Sequence, residues 1–372
     1  MRLVKVFLLV TTALAAVCSA EPRYFGGIDV GSKGTKASLF SSTMTADGDE
    51  IELIFGQTIN TRLVSSMKDK KFTDVGLQEA TDAAKTLMDA MKAKAEEQKL
   101  VGVKYYIVGS SGVAAGENKD ELATSVKAAT GIDMDFIDPK REGFFGAESS
   151  IPTARLPISM YIDIGSGNTK LGCVVGASDL KNYKSDEIKF GSVSGRNEAR
   201  KRNPDDVAAG IKDLMKDISA TYMKDSEDIP CLRNRQRIYW TGGAAWATAT
   251  FTHPERALMP RLYITRKDLD AFLAKLTDGT WNQGAPQINY LKSATPAQQK
   301  KIREKAEKER QDVMNIFVRE DLLSGVSIMK TVLDASNPSA ILVFARESGF
   351  IYGYAEEKFM HEPKSEHTTA SR

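Results

Sequence analysis

The segments IDVGSKGTK and IDIGSGNTK carry one pattern at two places in the chain: an apolar stretch, an aspartate, a glycine-rich turn and a closing lysine. The aspartates are Asp29 and Asp163, which lie 163 − 29 = 134 residues apart. Apolar residues on both sides of each turn predict a strand, a turn and a second strand. A pattern matched over this distance indicates duplication of a whole domain and not a short-period repeat. The chain is therefore predicted to contain two α/β domains.

The remainder of the chain also favours two domains. A chain of 372 residues is too long for one ordinary core. Strand-like segments alternate with helical ones, in which apolar residues recur at helical spacing, as from 76 to 99. We expect a first domain over residues 24–152 and a second over residues 156–357, with the last helices packing back on the first domain.

Residues 1–20 have the layout of a cleaved secretory signal peptide, with basic residues, an apolar run and small residues before Glu21. The protein is therefore expected to be exported, either secreted or periplasmic. A buried N-terminal helix or strand is the alternative. A lipoprotein acylated at Cys18 is less favoured, because Val17 is bulkier than the small residue usual at that place.

Charge and hydropathy limit the classes of partner. Loss of Arg2 and Lys5 with the signal peptide lowers the formal charge from +2 to 2 − 2 = 0, so the charge balance makes no case for nucleic acid. No later apolar run is long enough to cross a membrane, so stable membrane insertion is not expected. The polar segment 361–372 is predicted to be a disordered tail. The oligomeric state, monomer or homodimer, is left open.

Two cysteines remain after the signal peptide, Cys173 and Cys231. Exported proteins can oxidise such a pair to a disulfide. Cys173 lies in an apolar strand pattern, however, and this favours a buried free thiol. The free thiol is therefore the expectation, with the disulfide as the alternative.

The two glycine turns are suited to bind phosphate. Glycine lets backbone N–H groups approach an anion closely, because no Cβ blocks the way. Neighbouring hydroxyl, amide and ammonium groups add hydrogen-bond donors and positive charge. The candidate phosphate-binding residues of the turns are Gly31, Ser32, Lys33, Gly34, Thr35, Gly165, Ser166, Gly167, Asn168 and Thr169.

Asp29 and Asp163 each follow a predicted strand, at the floor of a predicted cleft. Proteins bind Mg²⁺ through one or two carboxylates together with phosphate oxygens, so this pair is predicted to hold Mg²⁺ or another divalent cation. One such turn alone is explained equally well as an ordinary hairpin, where aspartate is favoured. Two matched copies favour the functional interpretation.

The segment TGGAAWATAT predicts a third strand, turn and helix. Backbone N–H groups at the start of a helix favour an anion or a nucleotide. Gly242 and Gly243 are therefore candidate nucleotide-binding residues. A Gly-Gly pair before a helix is common, so this prediction depends on the other two turns.

In this order, IDVGSKGTK, YIDIGSGNTK and YWTGGAAWAT resemble the phosphate-1, phosphate-2 and adenosine motifs of the sugar kinase, Hsp70 and actin superfamily. Within it, the chain resembles the exopolyphosphatase and guanosine pentaphosphate phosphohydrolase (Ppx/GppA) family. The segments that carry this resemblance are IVGSSGVAAGEN, FIDPKREGFFGA, ERQDVMNIFVREDLLSGVSIM and ARESGFIYG. The resemblance spans nearly all of the mature chain. It implies two ribonuclease-H-like (actin-like ATPase) domains that flank a cleft.

The resemblance also implies residue roles. The catalytic glutamate of the family aligns with Glu142, which would polarise a water molecule for in-line attack on a terminal phosphate. Ser110 and Ser111, in the segment that precedes it, join the candidate phosphate-binding residues.

Three positions depart from the family pattern. Ala114 and Phe144 stand where the family usually has arginines, and Lys170 stands where the family has a glutamate after the second turn. Loss of the arginines would weaken the grip on substrate phosphates unless other basic residues compensate. The candidates for compensation are Lys33, Lys140, Arg141 and Lys170.

The segments DVGSKGTK, SSGVAAG and REGFFGA also resemble parts of the apyrases, the nucleoside triphosphate diphosphohydrolases. Many apyrases act outside the cytosol, which agrees with the predicted signal peptide. The C-terminal half of the chain favours the Ppx/GppA side.

These observations predict an exported, Mg²⁺-dependent hydrolase of phosphoanhydride bonds that acts on polyphosphate or a nucleotide. The alternatives are an apyrase-type hydrolase of nucleoside tri- or diphosphates, and a binding module with weak or no activity, motivated by the absent arginines. A kinase of the same superfamily is disfavoured, because ATP is scarce outside the cell and because Glu142 suits the activation of water.

Overall fold

The computed structural model describes residues 22–45, 48–64, 66–284, 287–337, 339–346 and 349–361. The predicted signal peptide, residues 1–20, and nearly all of the predicted tail lie outside these ranges. His361, predicted as the first residue of the tail, is instead the last residue of a helix.

Two β-sheets form the centre of the two halves of the chain. The first sheet contains β1 (Arg23–Val30), β2 (Gly34–Thr45), β3 (Gly48–Asn60), β4 (Lys104–Gly109) and β5 (Met134–Phe136). The second contains β6 (Ser159–Ile164), β7 (Thr169–Val174), β8 (Tyr183–Ile188), β9 (Arg237–Gly242), β10 (Arg261–Ile264) and β11 (Ile341–Ala345).

The strand orders confirm that the architecture is duplicated. They are β3-β2-β1-β4-β5 and β10-β11-β9-β6-β7-β8. In each half an antiparallel meander of three strands is followed by parallel strands added beside its first strand. Strand β10 is an extra antiparallel edge of the second sheet, and the sequence did not predict it.

Helices connect the strands and cover the sheets. They are α1 (Asp74–Glu97), α2 (Ser111–Ala114), α3 (Lys119–Thr130), α4 (Pro139–Ser150), α5 (Ser192–Arg202), α6 (Val207–Asp225), α7 (Cys231–Asn234), α8 (Gly243–Thr252), α9 (Arg266–Asp278), α10 (Pro296–Ile316), α11 (Arg319–Ala335) and α12 (Phe350–His361). None of the described helices is long and apolar enough to cross a membrane.

Helices α4 and α12 join the two halves. Glycines on both helices permit close contact: a Cβ on Gly146 would lie 2.3 Å from the Tyr161 hydroxyl, and one on Gly353 would lie 3.0 Å from the Cβ of Phe145. Aromatic residues of both sheets and both helices form one buried cluster. Helix α12 thus contacts the first half from the end of the second. The predicted domain boundaries stay a prediction.

Cys173 and Cys231 form a disulfide, with a Cα–Cα distance of 6.2 Å. The expectation of a free thiol is therefore wrong, although both residues are buried as expected. Cys173 lies in β7 and Cys231 begins α7, and the fold brings these two elements together. Their sequence separation of 58 residues gave no indication of this contact.

His253, at the end of α8, lies between two carboxylates. Its Nδ1 is 3.2 Å from Glu255 Oε1 and its Nε2 is 3.1 Å from Asp268 Oδ2. The pKa of His253 is raised above its ordinary value. The hydrogen bond with Glu255 makes the largest contribution, and the contact with Asp268 adds to it.

The two contacts of His253 predict that the stability of the fold depends on pH. A histidine whose pKa is raised in the folded state stabilises the fold fully below its unfolded pKa, about 6.5, and the contribution is lost as the pH rises through the folded value. We expect the free energy of unfolding to fall over that interval. Urea unfolding at a series of pH values should show the decrease in the wild type and a flatter profile in His253→Gln. Identical profiles would contradict the assignment.

Candidate active site

The two glycine turns have the same hydrogen bond. The Gly31 N–H donates to the Gly34 carbonyl and the Gly165 N–H donates to the Asn168 carbonyl, both at 3.0 Å. Each turn joins the first two strands of its sheet. The match confirms that the duplicated sequence pattern forms a duplicated turn.

Helix α5 supports the second turn from behind. The Ser166 carbonyl accepts hydrogen bonds from the N–H groups of Val193 and Ser194, both at 3.0 Å. The Ser194 hydroxyl donates to the Gly167 carbonyl at 2.6 Å. These bonds connect the turn to α5 and fix its conformation.

The hydroxyl groups of the turns differ in their availability. The Thr169 hydroxyl donates to the Phe190 carbonyl at 2.9 Å. The Thr35 and Ser111 hydroxyls are buried and have no hydrogen-bond partner within the described ranges. Ser110 is buried. Its N–H donates to the Val30 carbonyl at 3.1 Å, and this bond places it next to the first turn. The predicted phosphate contacts of all these residues stay predictions.

Glu142 lies in the first turn of α4, which Asp138 caps by accepting from the Arg141 N–H. The Glu142 side chain is buried, at 4% exposure. Its Oε2 accepts from the Ser111 N–H at 2.8 Å, and its Oε1 accepts from Lys170 Nζ at 2.7 Å. Ser111 belongs to the first half of the chain and Lys170 to the second, so Glu142 is bound to both.

Lys170 also contacts Asp163, with 3.4 Å between Nζ and Oδ2. Burial alone would lower the pKa of Lys170, but the charges of Glu142 and Asp163 outweigh burial and raise it. Lys170 is therefore an ammonium at neutral pH. Asp163 Oδ1 in turn accepts from the Thr241 hydroxyl at 3.3 Å. The Thr241 hydroxyl is also 2.8 Å from the Tyr161 hydroxyl.

Asp29 is buried, at 8% exposure, and its Oδ1 has no hydrogen-bond partner among the residues that the structure describes. Burial raises the pKa of Asp29 to about 7, and the nearby Lys36 partly offsets the rise while Glu142 adds to it. A carboxyl with this pKa is present in both protonation states near neutral pH. Asp29 is thus the carboxyl of the site with capacity left for a proton, a cation or a ligand.

The contacts do not fit the Mg²⁺ site expected at Asp29 and Asp163. Asp163 and Glu142 are both bonded to the ammonium of Lys170. Among the carboxylates of Asp29, Asp163 and Glu142, Asp29 has an oxygen without a hydrogen-bond partner in the described part of the chain. Within the described ranges, no group of three or more histidine, cysteine, aspartate or glutamate residues could hold a metal ion. The metal-binding roles of Asp29 and Asp163 stay predictions.

Lys33, a residue of the first turn, reaches the second half of the chain. Its Nζ is 3.1 Å from Asp321 Oδ2 and lies 5.6 Å from the centre of the Phe317 ring. Asp321 is buried on α11 and also pairs with Arg196 NH1 at 2.9 Å. Lys33 therefore ties the first turn to α11 instead of pointing at Glu142 or Asp163.

Gly242 and Gly243 each have a packing reason to be glycine. Gly242 has a φ of +93°, and a Cβ there would lie 2.3 Å from the Ile164 carbonyl oxygen and 3.0 Å from Asp163 Oδ1. A Cβ on Gly243 would lie 2.3 Å from the Phe317 ring. Close packing against Ile164 and Asp163 explains Gly242, and close packing against Phe317 explains Gly243, without a nucleotide. The nucleotide-binding role stays a prediction.

Gly242→Ala is expected to destabilise the fold by about 2–3 kcal/mol, because both the left-handed backbone and the contact with β6 are incompatible with a Cβ. Gly167→Ala is the matched control: nothing lies within 4 Å of its Cβ position. The control should change stability by no more than about 0.5 kcal/mol. Urea unfolding measures both variants, and equal effects would contradict the packing argument.

The positions of the missing arginines differ in their surroundings. Phe144 is buried in the aromatic cluster, with its ring centre 5.7 Å from that of Tyr183. Ala114 is half-buried at the end of α2. Of the possible substitutes, Arg141 pairs with Glu357 on α12 at 3.0 Å, and Lys140 is exposed. Lys170 is the basic residue in direct contact with the candidate catalytic glutamate.

Sequence reasoning missed the central role of Lys170, and it missed Thr241 and Tyr161 altogether. A signal for Lys170 was present. The spacings 36 − 29 = 7 and 170 − 163 = 7 are equal, and in both sheets the lysine lies opposite the aspartate on the neighbouring strand. No such signal identified Thr241, which contacts Asp163 from β9, or Tyr161, which contacts Thr241 from β6.

No protein-family model matches the chain, and no curated protein matches it. Solved structures do match its fold. An exopolyphosphatase-like protein has a TM-score of 0.63 at 17% identity, over 91% of this chain and 98% of its own. An exopolyphosphatase from Cytophaga hutchinsonii has a TM-score of 0.62 at 15% identity, over 91% and 98%.

A Ppx/GppA phosphatase from Aquifex aeolicus has a TM-score of 0.59 at 15% identity, over 89% of this chain and 98% of its own. These identities establish likeness of fold alone. The apyrase resemblance rests on the sequence segments. The chain has the fold of the Ppx/GppA proteins, and its two sheets are consistent with the two actin-like ATPase domains expected from the sequence.

Proposed function

We propose that this protein hydrolyses a phosphoanhydride bond of polyphosphate or a nucleotide at the site around Glu142. The observation that carries the proposal is the position of Glu142, a buried carboxylate bonded to Ser111 from one half and Lys170 from the other. The fold shared with exopolyphosphatases supports it. The disulfide supports the export expected from residues 1–20, because disulfides persist in oxidising compartments.

In this proposal Glu142 orients the attacking water. Each carboxylate oxygen has two lone pairs, so Glu142 can accept from water while it keeps Ser111 and Lys170. The water oxygen bonds to the terminal phosphorus, the bridging P–O bond breaks, and Glu142 accepts the proton. Lys170 offsets negative charge at the site. The protonated form of Asp29 can donate a hydrogen bond to a phosphate oxygen.

Substrate entry requires a conformational change. Glu142, Lys170 and Asp29 are all below 9% exposed, and the Lys33–Asp321 pair connects the two halves at one side of the site. We propose that the halves separate to admit the phosphate chain and close over it, so that water other than the reacting molecule is excluded.

A binding module without activity is the second candidate. Each Glu142 oxygen already accepts one hydrogen bond, so a water molecule has to share an oxygen with Ser111 or Lys170, and this favours the binding module. The absence of the family arginines also favours a binding module. This candidate would use the same phosphate-binding surfaces without turnover.

One assay distinguishes the candidates. The mature protein is incubated with polyphosphate, ATP, ADP or pppGpp, in Mg²⁺ and in EDTA, and the released phosphate is measured. Release from polyphosphate or pppGpp supports the Ppx/GppA-like activity, and release from ATP and ADP supports the apyrase-type activity. Binding without release from any substrate would overturn the hydrolase proposal in favour of the binding module.

A further inference from the structure

The ammonium of Lys170 lies where two carboxylates of the site converge. Its Nζ is 2.7 Å from Glu142 Oε1 and 3.4 Å from Asp163 Oδ2, and the side chain is 7% exposed. Its hydrogen bonds with the described residues use two of its three N–H groups. The third is left for another acceptor. A phosphate oxygen is an acceptor of the right charge.

The contacts of Lys170 disfavour a divalent cation at the same place. Mg²⁺ requires oxygen ligands at about 2.1 Å in octahedral geometry, whereas the facing oxygens of Glu142 and Asp163 are already bonded to an ammonium. A dication close to the ammonium would also be repelled by it.

The first half of the chain provides an internal comparison. Lys36 lies opposite Asp29 just as Lys170 lies opposite Asp163. Lys36 is exposed, whereas Lys170 is buried against Glu142. The special role of Lys170 therefore comes from α4, which places Glu142 over the second hairpin and not over the first.

We propose that the Lys170 ammonium takes the place of a divalent cation between Glu142 and Asp163, so that the site binds phosphate without a metal. The phosphate ligand in this proposal rests on the proposed function. The exclusion of metal does not, because it follows from the charges and contacts of the protein alone. A divalent cation held by Asp29 Oδ1 is the competing outcome.

The first experiment tests the exclusion of metal with Mn²⁺ alone, followed by electron paramagnetic resonance. The wild type is expected to lack a specific Mn²⁺ site. Lys170→Glu should gain one that binds at least about tenfold tighter than any wild-type binding, because three clustered carboxylates replace two carboxylates and an ammonium. Lys92→Glu, at an exposed position of α1, controls for added negative charge and should resemble the wild type.

Lys170→Gln keeps the test valid if Lys170→Glu fails to fold. It removes the charge without adding another carboxylate, and it should also gain Mn²⁺ affinity. Circular dichroism monitors the fold of all variants. A wild-type Mn²⁺ site that Asp29→Asn abolishes would overturn the proposal.

The second experiment measures tripolyphosphate binding by calorimetry. The wild-type affinity in EDTA is expected to lie within about threefold of that in Mg²⁺, and Lys170→Gln should weaken binding in EDTA by about 10- to 100-fold, as expected for loss of a hydrogen bond from a charged donor. Wild-type binding that requires Mg²⁺ would overturn the proposal. Absence of binding in both buffers would contradict the proposed function. In that case the Mn²⁺ titration alone tests whether Lys170 excludes a metal.

Discussion

Glu142→Gln is expected to reduce the rate of phosphate release by about 10²- to 10⁴-fold, the usual contribution of a positioned general base. The amide keeps the size of the side chain and its carbonyl can still accept from the Ser111 N–H. It cannot accept a proton from water. Lys170 keeps its second partner, Asp163. The substitution therefore removes the proposed chemistry with little change in shape.

The measurement is steady-state phosphate release from the substrate found in the assay described above. Glu148→Gln is the matched control, because Glu148 lies on the same helix, 148 − 142 = 6 residues later, and contacts Ser178 instead of the site. The control should keep wild-type activity. Tripolyphosphate binding shows whether Glu142→Gln still binds the ligand. Full activity in Glu142→Gln would exclude Glu142 as the base.

Reduction of the Cys173–Cys231 disulfide is expected to lower the free energy of unfolding by about 4 kcal/mol. The value follows from the loop-closure entropy for cysteines 58 residues apart. The loop that the bond closes contains β8, α5 and α6, so the unfolded chain gains freedom over a large part of the second half when the bond is broken.

Urea unfolding with and without a reductant measures this effect through the unfolding midpoint. The variant in which both Cys173 and Cys231 are replaced by alanine should be less stable than the oxidised wild type and should not respond to reductant. A response to reductant in that variant would show an effect unrelated to the disulfide. Equal midpoints for oxidised and reduced wild type would contradict the prediction.

The local elements of this fold were predictable because their signals are local. Each glycine turn is specified by a few consecutive residues between two apolar stretches, and the capping box of Thr265 at the start of α9 is specified within four residues. Strand β10, which was missed, lacks such a signal because it has only four residues. Helix α12 is rich in aromatic residues that contact both the first sheet and α4, so its sequence shows little helical periodicity.

Part of the candidate site was also predictable from local segments. Asp29 and Asp163 were proposed from the two glycine turns, and Glu142 from the resemblance of its segment to the family. The bond between Glu142 and Lys170 joins residues 28 positions apart on a helix and a strand, and no local pattern predicts it. The low exposure of Lys170, which strengthens its ion pairs with Glu142 and Asp163, depends on how α4 packs against the second sheet.

The sequence by itself determined the duplicated β-turn-β units and the alternation of strands and helices, because each depends on neighbouring residues and on periodicity. The catalytic role of Glu142 stays a prediction from the resemblance of its segment to the Ppx/GppA family. Only the tertiary structure decided that Cys173 meets Cys231, that Lys33 crosses to Asp321, and that Lys170 lies between Glu142 and Asp163. Those contacts, and the charge balance that they create, arise from burial and from elements far apart in the chain. They are therefore settled only when the two sheets pack around α4 and α12.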